Sequence, residues 1–220
     1  MKTTKLLLCA VSIAAAVVAS KAHSQSFEVI YKDPGISPGI GVVGSINGNV
    51  LAEPGFPSGV MNFTDAPGGD VIADFQAFCV EPQIQMDYGT QLVYTVSTTQ
   101  LQNSDTISLL IAAYLASGDS SDLNAAAVQW AIWEVTNESV SSSYSLLDGD
   151  VFITDTDTSI AAAANNYFTL IQNPNLAPVA LTYLTNDQHQ DVVTWNLVPE
   201  PGSAALALLS IAALIGRRRR

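Results

Sequence analysis

Ile107-Ser108-Leu109-Leu110-Ile111-Ala112-Ala113-Tyr114-Leu115, followed by Gly118, is the stretch whose reading decides the fold. Its apolar residues at 107, 110, 111, 114 and 115 recur at the spacing of an amphipathic helix, and Gly118 stops it. A second helix is expected from a cap at Asp122 through Glu138, and a third from Asp157 or Ser159 to Gln172, ended by Asn173-Pro174. Outward from this helical centre the pattern changes on both sides. Phe27 to Tyr31 and Val42 to Ile46 run or alternate apolar between Gly and Pro and read as strands, with Asn47-Gly48 as a hairpin turn. Residues 53–70, rich in Pro and Gly, read as loop with one short strand at Val60 to Phe63. Val71 to Val80, Gln91 to Ser97, Pro178 to Leu184 and Asp191 to Leu197 are strand-like. Strands, then helices, then strands predict an α+β fold, a β-sandwich or barrel-like set of strands with a helical insert of about three helices. An N-terminal signal helix and a C-terminal apolar helix complete the expectation.

The N-terminal end is a leader by pattern. Met1-Lys2-Thr3-Thr4-Lys5 is basic, Leu6 to Ala19 is almost wholly aliphatic or alanine, and Ala22-His23-Ser24 supplies small residues where a signal peptidase reads. Cleavage is expected before Gln25, making residues 1–24 a secretory signal peptide. The apolar core of 14 residues is shorter than the ~20 that span a bilayer, which argues against an uncleaved anchor. At the other end, Val198-Pro199-Glu200-Pro201-Gly202 leads into Ser203 to Ile215, nearly all Ala, Leu and Ile, and then into Arg217, Arg218, Arg219 and Arg220. Arginines after an apolar stretch resist translocation and fix the direction of the tail.

In order and spacing, residues 198–220 resemble the PEP-CTERM sorting signal of bacteria of the Gram-negative type. The resemblance implies processing by a signal peptidase and by an exosortase, a membrane-embedded cysteine transpeptidase that recognises Pro199, Glu200 and Pro201 and removes the tail. It implies secretion across the inner membrane, a transient membrane tail, and a final location at the cell surface or in an extracellular biofilm matrix. Gly202 to Gly216 makes roughly 22 Å of helix, thinner than a ~30 Å hydrocarbon core, which suits a sorting signal better than a permanent anchor.

Between these ends, residues 25–197 have the size of one domain. Seven of the eight cations sit in the terminal segments, leaving Lys32 against 19 carboxylates, about −18 in net charge. Such a surface repels phosphate backbones and argues against nucleic-acid binding. The catalytic inventory is thin: one histidine, His189 in a polar turn, one cysteine, Cys79, and no arginine. That count excludes a Cys/His zinc site. An enzyme is not expected, nor is a cofactor. Asp148-Gly149-Asp150 and Asp155-Thr156-Asp157 offer oxygen ligands but match no calcium-loop spacing, so no metal site is assigned.

Cys79 is the anomaly, since exported domains usually pair their cysteines. It lies in Phe78-Cys79-Val80-Glu81-Pro82, and the second expected helix carries Ala127-Val128-Gln129-Trp130-Ala131-Ile132-Trp133-Glu134. Together these blocks resemble the thioester domains of bacterial surface adhesins, in which an aromatic-Cys-aliphatic motif and a Gln-x-Ala-aliphatic-Trp motif supply the halves of an internal Cys–Gln bond. Val128 departs from the pattern, where adhesins prefer Thr. The resemblance implies a thioester between Cys79 and Gln129, shielded by Phe78 and Trp133, that attaches the protein to an amine- or hydroxyl-bearing protein or polysaccharide. The thiolate must expel ammonia from the carboxamide, and the product must be kept dry. No general base is identified, with Glu81 and Glu134 the nearest carboxylates in sequence. The alternative is a non-covalent structural or glycan-binding matrix protein in which Cys79 is a buried core residue.

Overall fold

The computed structural model describes residues 26–68, 72–84, 86, 88–138, 144–153 and 158–196. The expected signal peptide at 1–24 and the sorting segment at 198–220 lie outside them.

Phe27, Val29 and Tyr31 are buried while Glu28 is exposed and Ile30 half-buried, the period of two that gives a strand one wet and one dry face. They open β1 (Ser26–Ile46), which turns at Asn47-Gly48 into β2 (Asn49–Asp65); β3 (Phe75–Cys79) and β4 (Gln91–Val96) follow. Both turn residues have positive φ, 51° and 79°, the geometry that favours Asn-Gly in a tight hairpin. After the helical region come β6 (Thr182–Thr185) and β7 (Val192–Thr194).

The strands run in the order β2-β3-β7-β6-β4-β1, and pairing of β1 with β2 closes the ring into a six-stranded barrel in which every pair is antiparallel. Closure leaves no unpaired edge around the ring. Its dry interior is aromatic: Phe63 stacks on Phe75 at 4.9 Å and meets Tyr94 edge-on at 5.8 Å.

The molecule is thus α+β, with a barrel and three helices. The helices, α1 (Ser104–Ser117), α2 (Asp122–Asn137) and α3 (Thr158–Leu170), are inserted between β4 and β6 together with β5 (Val151–Ile153), which pairs with Gly44–Ile46 of β1. Residues 125–135 of α2 are buried all round, so this helix is the spine of the insert, packed against α1, α3, β1, β2 and β3. Ala125, Ala126, Ala127 and Ala131 let these neighbours close in. Among the described residues, no helix is long and apolar enough to cross a membrane.

Several local expectations are corrected. Residues 53–65 belong to the long strand β2, not to a loop. Register shifts between Tyr31 and Ile36, Ile36 and Gly39, and Val42 and Gly44 absorb the irregularity that Pro and Gly impose, and Pro57 sits opposite Gly41 within the ladder. The cap of α2 is Ser121, whose Oγ accepts from Asn124 N at 3.4 Å. Asp122 instead accepts the Gly39 amide at 2.8 Å, tying helix to barrel. The strand expected from Pro178 starts only at Thr182, and β5 carries too few residues to show a period.

Candidate functional site

Strand parity places the cysteine. Phe75, Ala77 and Cys79 share the inward face of β3, and Phe78 faces outward, its ring 5.8 Å from Tyr114 of α1 and 5.4 Å from Trp195. Phe78 therefore roofs the outer face of the strand and does not wall the thiol directly. The register of β3 on β2 ends at Met61 opposite Ala77; two residues further it would bring Gly59 opposite Cys79. The side chain of Gln129 stands there instead. Cys79 N donates to Gln129 Oε1 at 2.9 Å, and Gln129 Nε2 donates to Cys79 O at 2.8 Å. The carboxamide thus completes the ladder as a strand would, while on the other side Val80 N donates to Asp191 O at 2.9 Å.

The pair is dry: Cys79 is 3 % exposed, Gln129 1 % and Trp133 1 %. Trp133, one turn after Gln129, lies at the sulfur, as does the backbone N–H of Glu81. Burial pushes the Cys79 thiol up to about 12; the Glu81 N–H and Trp133 oppose this, and the Glu81 and Asp191 carboxylates add to it. The resting thiol is a neutral S–H at physiological pH, and any attack by sulfur must shed its proton as it proceeds. Trp130 points away from the cysteine, meets Trp133 edge-on at 5.3 Å and donates to Ser58 Oγ at 3.0 Å. A Cβ at Gly44 would collide with its ring, so β1 needs glycine there.

The two carboxylates near the motifs separate. Glu81 stands beside Cys79, its Oε2 accepting from Asp191 N at 3.2 Å. Glu134 belongs to another neighbourhood, where its Oε1 accepts from Ser145 N at 2.7 Å and Glu138 Oε2 accepts from Asp150 N at 3.0 Å. Burial raises the Glu134 carboxyl to about 7; the Ser145 N–H opposes this, and Glu138, Asp148 and Asp150 raise it further. With the folded value above the ordinary 4.5, the contribution to stability is full below about pH 4.5 and is lost as pH rises through about 7. Glu134→Gln should therefore be the more stable protein above pH 7, on the order of 1–2 kcal/mol once solvent screening is allowed for. Urea midpoints of both proteins from pH 5 to 8 check this, and parallel curves would refute it.

His189 lies in the Asn186–Asp191 turn, its N–H donating to Asn186 Oδ1 at 3.0 Å, and borders a separate groove of about 510 Å³ with Gln91, Val93, Thr95 and Thr185. Asp155 and Asp157 lie outside the described residues, and among the described residues no three His, Cys, Asp or Glu side chains are grouped to hold a metal ion.

Fold and site together define a class: a closed antiparallel barrel with a helical insert, whose central helix presents a glutamine carboxamide to the backbone of a buried barrel cysteine. No protein-family model matches the chain, and no curated protein or solved structure matches it.

Proposed function

We propose that this is an exported protein, sorted by an exosortase to the cell surface or extracellular matrix, that attaches covalently to a partner through an internal Cys79–Gln129 thioester. The observation that carries the reading is the two-point capture of the Gln129 carboxamide by Cys79, 50 residues away in sequence, in a dry site. In bond formation Sγ attacks Gln129 Cδ, the C–N bond breaks, and ammonia leaves with the thiol proton. The Cys79 N–H already aimed at Oε1 stabilises the charge that develops on that oxygen. The bond from Nε2 to Cys79 O orients the departing nitrogen. Trp133 and the barrel interior keep water from the product.

Export and sorting rest on the sequence of the ends, from the basic leader to Pro199, Glu200, Pro201 and the terminal arginines.

A second reading is favoured by the same two hydrogen bonds: with both its amide groups satisfied, Gln129 is a structural staple that finishes a strand pairing, and the protein acts by non-covalent contacts.

Intact-mass analysis of protein recovered from the cell surface separates the two. The covalent reading expects a chain lacking residues 1–24 and the tail after the Pro-Glu-Pro motif, about 17 Da lighter than its sequence for the lost ammonia, with the deficit abolished in Cys79→Ala. An unshifted mass with one titratable thiol supports the staple.

A further inference from the structure

Resting on the covalent reading, we infer that the partner nucleophile reaches the thioester through the cleft bordered by Val80 to Ile84 and Asn137, and that Glu81 is the group there that selects a protonated primary amine and takes its proton. The cleft encloses about 230 Å³ and opens at the residues that directly follow Cys79. Asn137, at the C-terminal end of α2, also lines it. Among the described residues that line it, Glu81 is the one ionisable side chain. Its backbone N–H faces the Cys79 sulfur, and its carboxylate, held by the Asp191 amide at 3.2 Å, also acts on that sulfur, so it is fixed beside the thiol.

Two duties follow for that carboxylate. It attracts an ammonium in a domain that carries almost no cations of its own. It then accepts one proton, because only the neutral amine can attack. The nitrogen adds to the thioester carbonyl, the C–S bond breaks, and the sulfur leaves as thiolate and takes up the second proton of the attacking nitrogen. The products are a secondary amide on the Gln129 side chain and a free Cys79 thiol, with one proton released to solvent through Glu81. Glu134, tied to Ser145, takes no part.

The test uses full-length protein and two probes at about pH 8: methylamine, which is cationic there, and hydroxylamine, which is neutral. Adduct formation is followed by intact mass. Glu81→Gln should retain the mass deficit yet capture methylamine at least about tenfold more slowly, with hydroxylamine capture unchanged. Gln83→Trp, at an exposed position on the cleft, should slow both probes by narrowing the way in. Equal methylamine rates in Glu81→Gln and wild type overturn the role of Glu81, as does a Glu81→Gln protein that never forms the bond, since Glu81 would then act in its formation. Unchanged rates in Gln83→Trp overturn the route. A wild-type protein without the deficit removes the covalent reading itself, and this inference with it.

Discussion

Gln129→Ala is expected to destabilise the domain by about 2–4 kcal/mol. Two losses combine. The Cys79 N–H and C=O keep no partner on that side once the carboxamide that meets both at 2.9 and 2.8 Å is gone, and each buried unsatisfied group costs about 1–3 kcal/mol. A hole also opens between α2 and β3, and the strand cannot close it without breaking its register on β7. Cys79→Ala keeps both backbone bonds and should cost only about 1 kcal/mol relative to a protein in which the two residues are not joined. If they are joined, the comparison changes. A bond closing a loop of 50 residues stabilises by about 4 kcal/mol in the chain-entropy account used for disulfides. Wild-type protein should then lose that amount on methylamine treatment and come to resemble Cys79→Ala. Urea unfolding of the three proteins, with and without methylamine, reads all of these values. A Gln129→Ala midpoint equal to that of wild type would show that the ladder does not need the carboxamide.

Trp133→Ala should be at least as severe, costing about 3–5 kcal/mol for the loss of a fully buried indole packed edge-on against Trp130 at 5.3 Å. Its more specific effect is on the thiol. Burial is the main reason that the thiol is held at about 12, and Trp133 is part of what buries it. With the ring gone, water reaches the sulfur, the thiol falls toward its ordinary range, and maleimide labelling at neutral pH should rise by at least about tenfold. Trp133→Phe keeps most of the apolar volume and gives up the N–H; labelling should stay slow and the stability cost should be smaller. Slow labelling in Trp133→Ala, in a protein that circular dichroism shows to be folded, would mean that the barrel alone protects the sulfur.

The first helix was legible because a period near 3.6 survives in a helix with one dry face: Ile107, Leu110, Ile111 and Tyr114 are buried on α1, although Leu115, read as part of that stripe, is exposed. The extent of β1 and β2 was not. A strand is recognised by what it lacks, and Pro57 and Gly59 look like loop residues until bulges on the partner strand are seen to absorb them. The Cys79–Gln129 proximity was legible only as paired short motifs, since no local pattern links residues so far apart. What the motifs did not reveal was how the carboxamide is held, which depends on β2 leaving β3 at Met61 and so vacating a strand's place. The outward direction of Phe78 could have been read from parity alone, because neighbours on a strand face opposite sides. The separation of Glu81 from Glu134 could not, since it depends on where residues 144–150 cross α2.

Because β4 and β6 lie side by side, with Ser97 N donating to Tyr183 O at 2.8 Å, the insert leaves the barrel and returns to its own point of departure. The strand that flanks Cys79 on its other side, β7, is the last element among the described residues. A chain emerging N-terminus first therefore presents the thiol well before the helix and the strand that will cover it have arrived. The site is thus incomplete until β7 has joined β3.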